Sequence, residues 1–230
     1  MQRMMTKLLA VCVLCVMGRS LVTAGIDVAA AERERVLTAA ARLLNEEPQT
    51  ITAFPSARSA GGAHDYFSEG DYWWPDPMNP DGPYIQRDGM TNPGNFVKHR
   101  EAMFHFAKAV SCLTAAYKLT GDEHYAAAAV RHLTAWFVNR ETKMNPHLHY
   151  AQAIKGKVTG RGTGIIDTIH LLDVARAVEI LRVSKSMDGA SAEGNGNAQP
   201  SVGAYGLAHH ANQDILRGEK VGPAWHVREK

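Results

Sequence analysis

Two stretches of the 230-residue sequence gather side chains that can bind a ligand or move a proton. The first is "DYFSEGDYWWPDPMNPDGPY", Asp65 to Tyr84. It holds three of the seven tyrosines, two of the four tryptophans, four of the ten prolines and five carboxylates, with no Lys or Arg. The flat faces of Tyr66, Tyr72, Trp73, Trp74 and Tyr84 suit the C–H faces of sugar rings. Prolines that stiffen the segment lower the entropic cost of binding there. The competing reading is structural, because large aromatics are mostly buried and any one ring can plug the loop onto a core. The carboxylates lack the spacing of an EF-hand loop, and Asp or Asn beside Pro and Gly commonly makes turns.

The second stretch is "NPHLHYAQAIKGKVTGRGTGIID", Asn145 to Asp167. It offers Asn145, His147, His149, Tyr150, Gln152 and Arg161 ahead of an apolar helix. His147 and His149 share a face of an extended segment, yet two histidines without a third ligand make a weak metal site. No metal and no cofactor is expected. The glycines at 160, 162 and 164 have no strand before them and no βαβ unit around them, which excludes a dinucleotide loop. A helix start with free N–H groups favours an anion, so Arg161 between two glycines is expected to contact a carboxylate. Lys143, Lys155 and Lys157 read as ordinary solvated surface.

Helices must position these loops. Asp27 can cap a helix to about Asn45, with Val36, Leu37, Ala40, Ala41 and Leu44 on one face. Asn92 as cap and Pro93 in the first turn predict the next, with Phe96, Met103, Phe106, Val110, Leu113 and Tyr117 as its stripe. Gly121 ends it. Asp122 opens a third, packing Tyr125, Ala129, Leu133, Trp136 and Phe137. A fourth is expected from Thr163 to Val183, with Ile166, Ile169, Leu172 and Leu181 inward. Strand signals are nearly absent, so the class is all-α. Long loops between helical hairpins suit an α/α toroid, where they gather on one rim and build a cleft.

Composition is that of a globular chain, 45% hydrophobic and 21% charged. Arg3 and Lys7, the apolar run Leu8–Met17 and Val22-Thr23-Ala24 read as a secretory signal peptide, 1–24, cleaved after Ala24. Cleavage removes Cys12 and Cys15 and leaves Cys112 without a partner for an internal disulfide. It also removes Arg3, Lys7 and Arg19, taking the formal charge from +2 to −1. That disfavours a nucleic-acid binder. The domain is expected over 25–184. From 185 to 230 the chain is rich in Gly, Ala, Ser and Asn without a helical stripe, and reads as a disordered or aberrant tail.

"GGAHDYFSEGDYWWPDPMNPDGPYIQRDGMTNP", "LTGDEHYAAAAVRHLTAWF" and "MNPHLHYAQAIKGKVTGRGTGIIDT" together resemble the alginate lyase superfamily of bacterial polysaccharide lyases, over roughly Gly61 to Leu181. The resemblance implies an α/α toroid, a periplasmic or secreted location and an anionic uronate polysaccharide as partner. It implies no membrane contact after signal cleavage; the oligomeric state stays open. The implied chemistry is β-elimination: polar or cationic groups neutralise the uronate carboxylate, a base takes the C5 proton and a tyrosine protonates the leaving O4. Tyr66, Tyr72, His147, His149 and Tyr150 are the candidate base and acid. Tyr66, Tyr72, Trp73, Trp74, Tyr84, Arg87, Asn145, Tyr150, Gln152 and Arg161 are the candidate substrate-binding residues.

The chain departs from the family's pattern after Ser184. The further helices and the Asn-Asn-His motif of the family are not found, and His209-His210 does not replace it. The expectation is an incomplete toroid, truncated relative to the family, lacking part of the active site. Two other readings stand beside this one. A toroidal glycoside hydrolase needs a carboxylate pair, for which Asp65, Glu69, Asp71 and Asp76 are available. A non-catalytic helical binding domain needs repeated units, and the sequence has one such helix pair.

Overall fold

The computed structural model describes residues 27–187. The expected signal peptide, 1–24, and all of the expected tail beyond its first three residues lie outside the described residues. The chain divides into two compact units, 1–32 and 33–230; the described part of the first is the opening of helix α1. Helix α1, Val28–Leu43, begins where Asp27 Oδ1 accepts a hydrogen bond from Ala30 N at 3.1 Å. Beyond Arg33, Ala40 is fully buried and Val36 and Leu37 pack beside it, whereas Ala41 is exposed.

Helices α2, Lys98–Thr120, and α3, Glu123–Phe137, form a hairpin as the capping residues predict. Gly121 donates its N–H to Tyr117 O at 2.7 Å from a left-handed conformation, and Asp122 Oδ1 accepts from His124 N at 3.0 Å. The hairpin's core contact is Phe106 stacked on Trp136, centroids 4.6 Å apart and planes 15° apart. Helix α4, Leu171–Leu181, packs on α2 through Val174, Ala177, Val178 and Leu181.

Two boundaries differ from expectation. Helix α2 starts at Lys98, because Asn92 serves the loop instead of the helix. Its N–H donates to Asp71 O, its Nδ2 to Trp73 O, and its Oδ1 accepts from Gly94 N. The segment Gly162–Thr168 is a 3-10 helix that precedes α4, so Ile166, Ile169 and Leu172 fall on the exposed side. The cause is Asp167, which is 3% exposed and turns that part of the chain inward. Gly164 sits so close to Ala151 that a Cβ would lie 2.4 Å from the alanine methyl.

The molecule is largely helical, but not purely so. Among the described residues four short strands carry the loops: β1 Phe67–Glu69, β2 Trp73–Trp74, β3 Ile85–Gln86 and β4 Tyr150–Ala153. β1 and β4 are parallel, with Phe67 opposite Tyr150 and Glu69 opposite Ala153 across a bulge. β2 and β3 are antiparallel, Trp73 opposite Gln86 and Trp74 opposite Ile85. Such strands are too short to show alternation, which is why the sequence reads as all-α. Packed residues continue past Ser184: Glu123 accepts from Lys185 N and Ser186 N, Ser184 Oγ from Met187 N, and Met187 is buried.

Candidate active site

The β1–β4 pair is the spine of the site. Along β1, side chains at alternate positions point the same way. Tyr66 and Ser68 both reach the carboxylate of Asp167, the phenol at 3.2 Å and the hydroxyl at 2.5 Å. Gln152 on β4 donates to the other carboxylate oxygen at 3.1 Å, and Arg100 Nε from α2 stands 3.4 Å from it. Arg100 also pairs with Asp71 at 2.8 Å. A buried carboxylate is tolerated only when paired and hydrogen-bonded, and here it has both. Burial works against the Arg100 charge, but Asp71 and Asp167 outweigh it and raise its pKa. Burial, then the Asp167 charge, pushes the Tyr66 phenol far above the usual range.

Tyr66 is therefore a correction. It has no exposed surface, so it offers no ring to a sugar and no hydroxyl to a reacting bond. Gln152 is likewise committed, at 3% exposure. Its φ of 55° is the one positive value of a non-glycine residue among the described residues, a conformation kept where neighbours impose it. The neighbour is Arg161, whose Nε donates to Gln152 O at 2.8 Å and whose Nη2 donates to Gln152 Oε1 at 3.1 Å. Arg161 thus grips the strand while staying half-buried. It also abuts the aromatic loop: a Cβ on Gly70 would lie 2.8 Å from Arg161 Nη2 and 2.7 Å from Trp73 Cδ1.

At the start of the spine lies a second cluster. Asp65 accepts from Asn145 Nδ2 at 2.7 Å and from Gly62 N at 2.8 Å, and His147 Nε2 stands 3.2 Å away. Burial pushes the Asp65 pKa up, but these hydrogen bonds and the two histidines outweigh it and hold it low. His147 and His149 stack, centroids 4.2 Å apart and planes 12° apart, with Tyr150 edge-on to both. Burial, then His149, pulls the His147 pKa down, against the attraction of Asp65. His149 is exposed and Tyr150 half-buried. Among the described residues no group of three or more His, Cys, Asp or Glu is placed to hold a metal ion. The arrangement has the parts of a proton-transfer site: a carboxylate that orients one imidazole, a second, exposed imidazole and a half-buried phenol.

The aromatic loop also differs from expectation. Trp73 and Trp74 are half-buried and Tyr84 is only 9% exposed. Cations cover their faces: Lys157 lies 5.4 Å from the Trp73 ring, Arg87 5.2 Å from Trp74 and Lys155 5.7 Å from Tyr84. Trp74 further donates to Met90 O at 2.7 Å. Tyr72, 42% exposed, is the most open ring of the five. The rings thus present charge as much as apolar surface. The sequence reading missed Asp167, Arg100 and Ser68. One signal was available: Asp167 is the lone carboxylate in the apolar run "GIIDTIHLL", and a charge there is seldom unpaired.

Comparison with known proteins agrees with this picture. The family model described as "Alginate lyase" matches residues 50–195, which include both stretches. Among solved structures, an alginate lyase from Bacteroides ovatus, determined at 1.60 Å resolution, is 30% identical with a TM-score of 0.60. The match covers 80% of this chain and 58% of that one, so the chain spans little more than half of that relative. No curated protein matches. With the family pattern running through the aromatic loop, the α2–α3 hairpin, β4 and α4, the chain belongs to the alginate lyase family.

Proposed function

We propose that the chain acts in cleaving a uronate polymer of the alginate kind by β-elimination, its helical hairpins forming part of an α/α toroid and its loops supplying part of the active site. One observation carries the reading. Tyr150 opens β4, His149 immediately precedes it, and Arg161 is bonded alongside, its N donating to Ala151 O at 2.9 Å and its Nε to Gln152 O at 2.8 Å. In the reaction, the unused donors of Arg161 take the uronate carboxylate and so acidify C5–H. His149 removes that proton, the C4–C5 double bond forms, the C4–O4 bond breaks, and Tyr150 supplies the proton to O4. His147, tied to Asp65, positions His149 by stacking. The basic, then apolar, N-terminal residues favour export to the periplasm or beyond.

A hydrolase reading draws less support, since the loop carboxylates are already engaged. Glu69 is buried, pairs with Arg58 at 3.0 Å and accepts from Phe96 N at 2.6 Å, while Asp71 holds Arg100. The test is to incubate the protein with polyuronate and follow the ultraviolet absorbance of the unsaturated uronate. His149→Ala and Tyr150→Phe should each lower that rate by roughly 10²-fold or more, with thermal unfolding unchanged. Reducing ends released without the absorbance would overturn elimination in favour of hydrolysis.

A further inference from the structure

We infer that the Ile154–Val158 turn is a second anion-binding subsite for the polymer, with Lys155 and Lys157 continuing the cationic row that Arg161 begins. The inference rests on the uronate reading above. Its basis is the way the turn is built. Ile154 N donates to Val158 O at 2.9 Å, Val158 N to Ile154 O at 3.1 Å, and Lys157 N to Ile154 O at 2.9 Å, which closes the turn on itself. Tyr84 N donates to Lys155 O at 3.0 Å, which pins the turn to the aromatic loop. Gly156, between the two lysines, has φ 73°, and a Cβ there would lie 2.7 Å from Pro83 Cα. Only glycine allows so close a seat.

The seat brings both ammonium groups over rings of the aromatic loop. Trp73 pairs with Gln86 on β3, and Tyr84 immediately precedes β3, so both rings adjoin the same short ladder. Lys157 covers the first ring and Lys155 the second. Arg87 lies on Trp74 and is not part of the row. Trp73 also adjoins Arg161 across Gly70, which joins the three cations into one run.

Neither lysine forms an ion pair among the described residues, although the loop beside them holds five carboxylates. Both lysines are exposed. A free surface lysine sweeps through many rotamers. These two are held by ring quadrupoles, with ammonium donors left for solvent or a ligand. Pre-ordered cations spend less entropy on binding. A polymer with a carboxylate on each sugar can meet the whole row, whereas a neutral glucan cannot.

The experiment measures binding of polyuronate and of a neutral glucan to the full chain across a salt series. Wild type is expected to bind polyuronate with salt-sensitive affinity and the glucan weakly. Lys155→Gln with Lys157→Gln should weaken polyuronate binding about fivefold, the scale of two exposed charge contacts, and flatten the salt dependence. Lys155→Arg with Lys157→Arg should keep both. Unchanged affinity and salt dependence in the glutamine pair would overturn the subsite and leave the uronate reading standing. An arginine pair as weak as the glutamine pair would overturn the electrostatic basis. Wild type that does not prefer polyuronate to glucan would bring down the uronate reading, and the subsite with it.

Discussion

Asp167 receives hydrogen bonds from Tyr66, Ser68 and Gln152 and faces Arg100, all in the interior. Asp167→Asn removes the charge that balances a largely buried guanidinium. Breaking such a pair is costly because the other partner stays desolvated, so urea unfolding should show a loss of about 3 kcal/mol. A loss within about 0.5 kcal/mol would mean that Asp71 alone balances Arg100. Arg161 makes a different case. Lysine cannot reproduce its two hydrogen bonds to Gln152, so Arg161→Lys should relax the left-handed backbone at 152 and cost about 1 kcal/mol. Turnover of polyuronate should fall as well, because the same fork serves the substrate carboxylate. Kinetics like those of wild type in the lysine variant would confine Arg161 to bracing the strand.

At the scale of elements, the sequence shows the helical hairpin plainly and the site poorly. Gly121 and Asp122 are local stop and start signals, and the spacing of Phe106, Val110, Leu113 on one helix and Leu133, Trp136 on the next gives the packed face. The α4 face was not legible. Ile166, Ile169 and Leu172 fit a helical stripe on paper, but the 3-10 segment before α4 changes the residue period and turns them outward. The turn between β4 and the 3-10 segment supplies a test. Gly156→Ala places a Cβ against Pro83 in a disfavoured φ, and should destabilise the protein by about 1–2 kcal/mol. It should also weaken polyuronate binding, because it unseats Lys155 and Lys157. A variant as stable as wild type would show that the turn is free to move away from Pro83.

At the scale of the whole molecule, acid should destabilise the protein as the histidines it holds neutral take up protons. His132 on α3 is 1% exposed. Burial, then Arg131 and His105, drives its pKa from 6.5 down to about 4, with Glu46 and Glu47 opposing. Because the folded pKa is below the unfolded one, the unfolded chain takes up the proton first. The associated stability is whole above 6.5 and is lost as pH falls towards about 4. His147 shifts in the same direction and adds to the slope. Melting temperature is expected to fall through that window, with about 1–2 kcal/mol attributable to His132. His132→Leu should flatten that part of the curve. An unchanged slope would place the titration elsewhere.

What the sequence determined by itself is local. Capping residues set the α2–α3 hairpin, apolar spacing set its inner face, and a long run of rare residue combinations carried the family. Which residues would meet was not local. The Tyr66 ring is equally suited to a sugar or to a core, and only the pairing of β1 with β4 sends it inward to Asp167. Lys155 and Lys157 are indistinguishable from solvated surface until Tyr84 and Trp73, some seventy to eighty-five residues earlier, come to lie beneath them. Arg161 is both brace and cation because Gln152 is held in a conformation that no neighbour in sequence requires. These outcomes depend on contacts between distant segments, whose energies arise only when the chain is folded, so no reading of nearby residues could decide them.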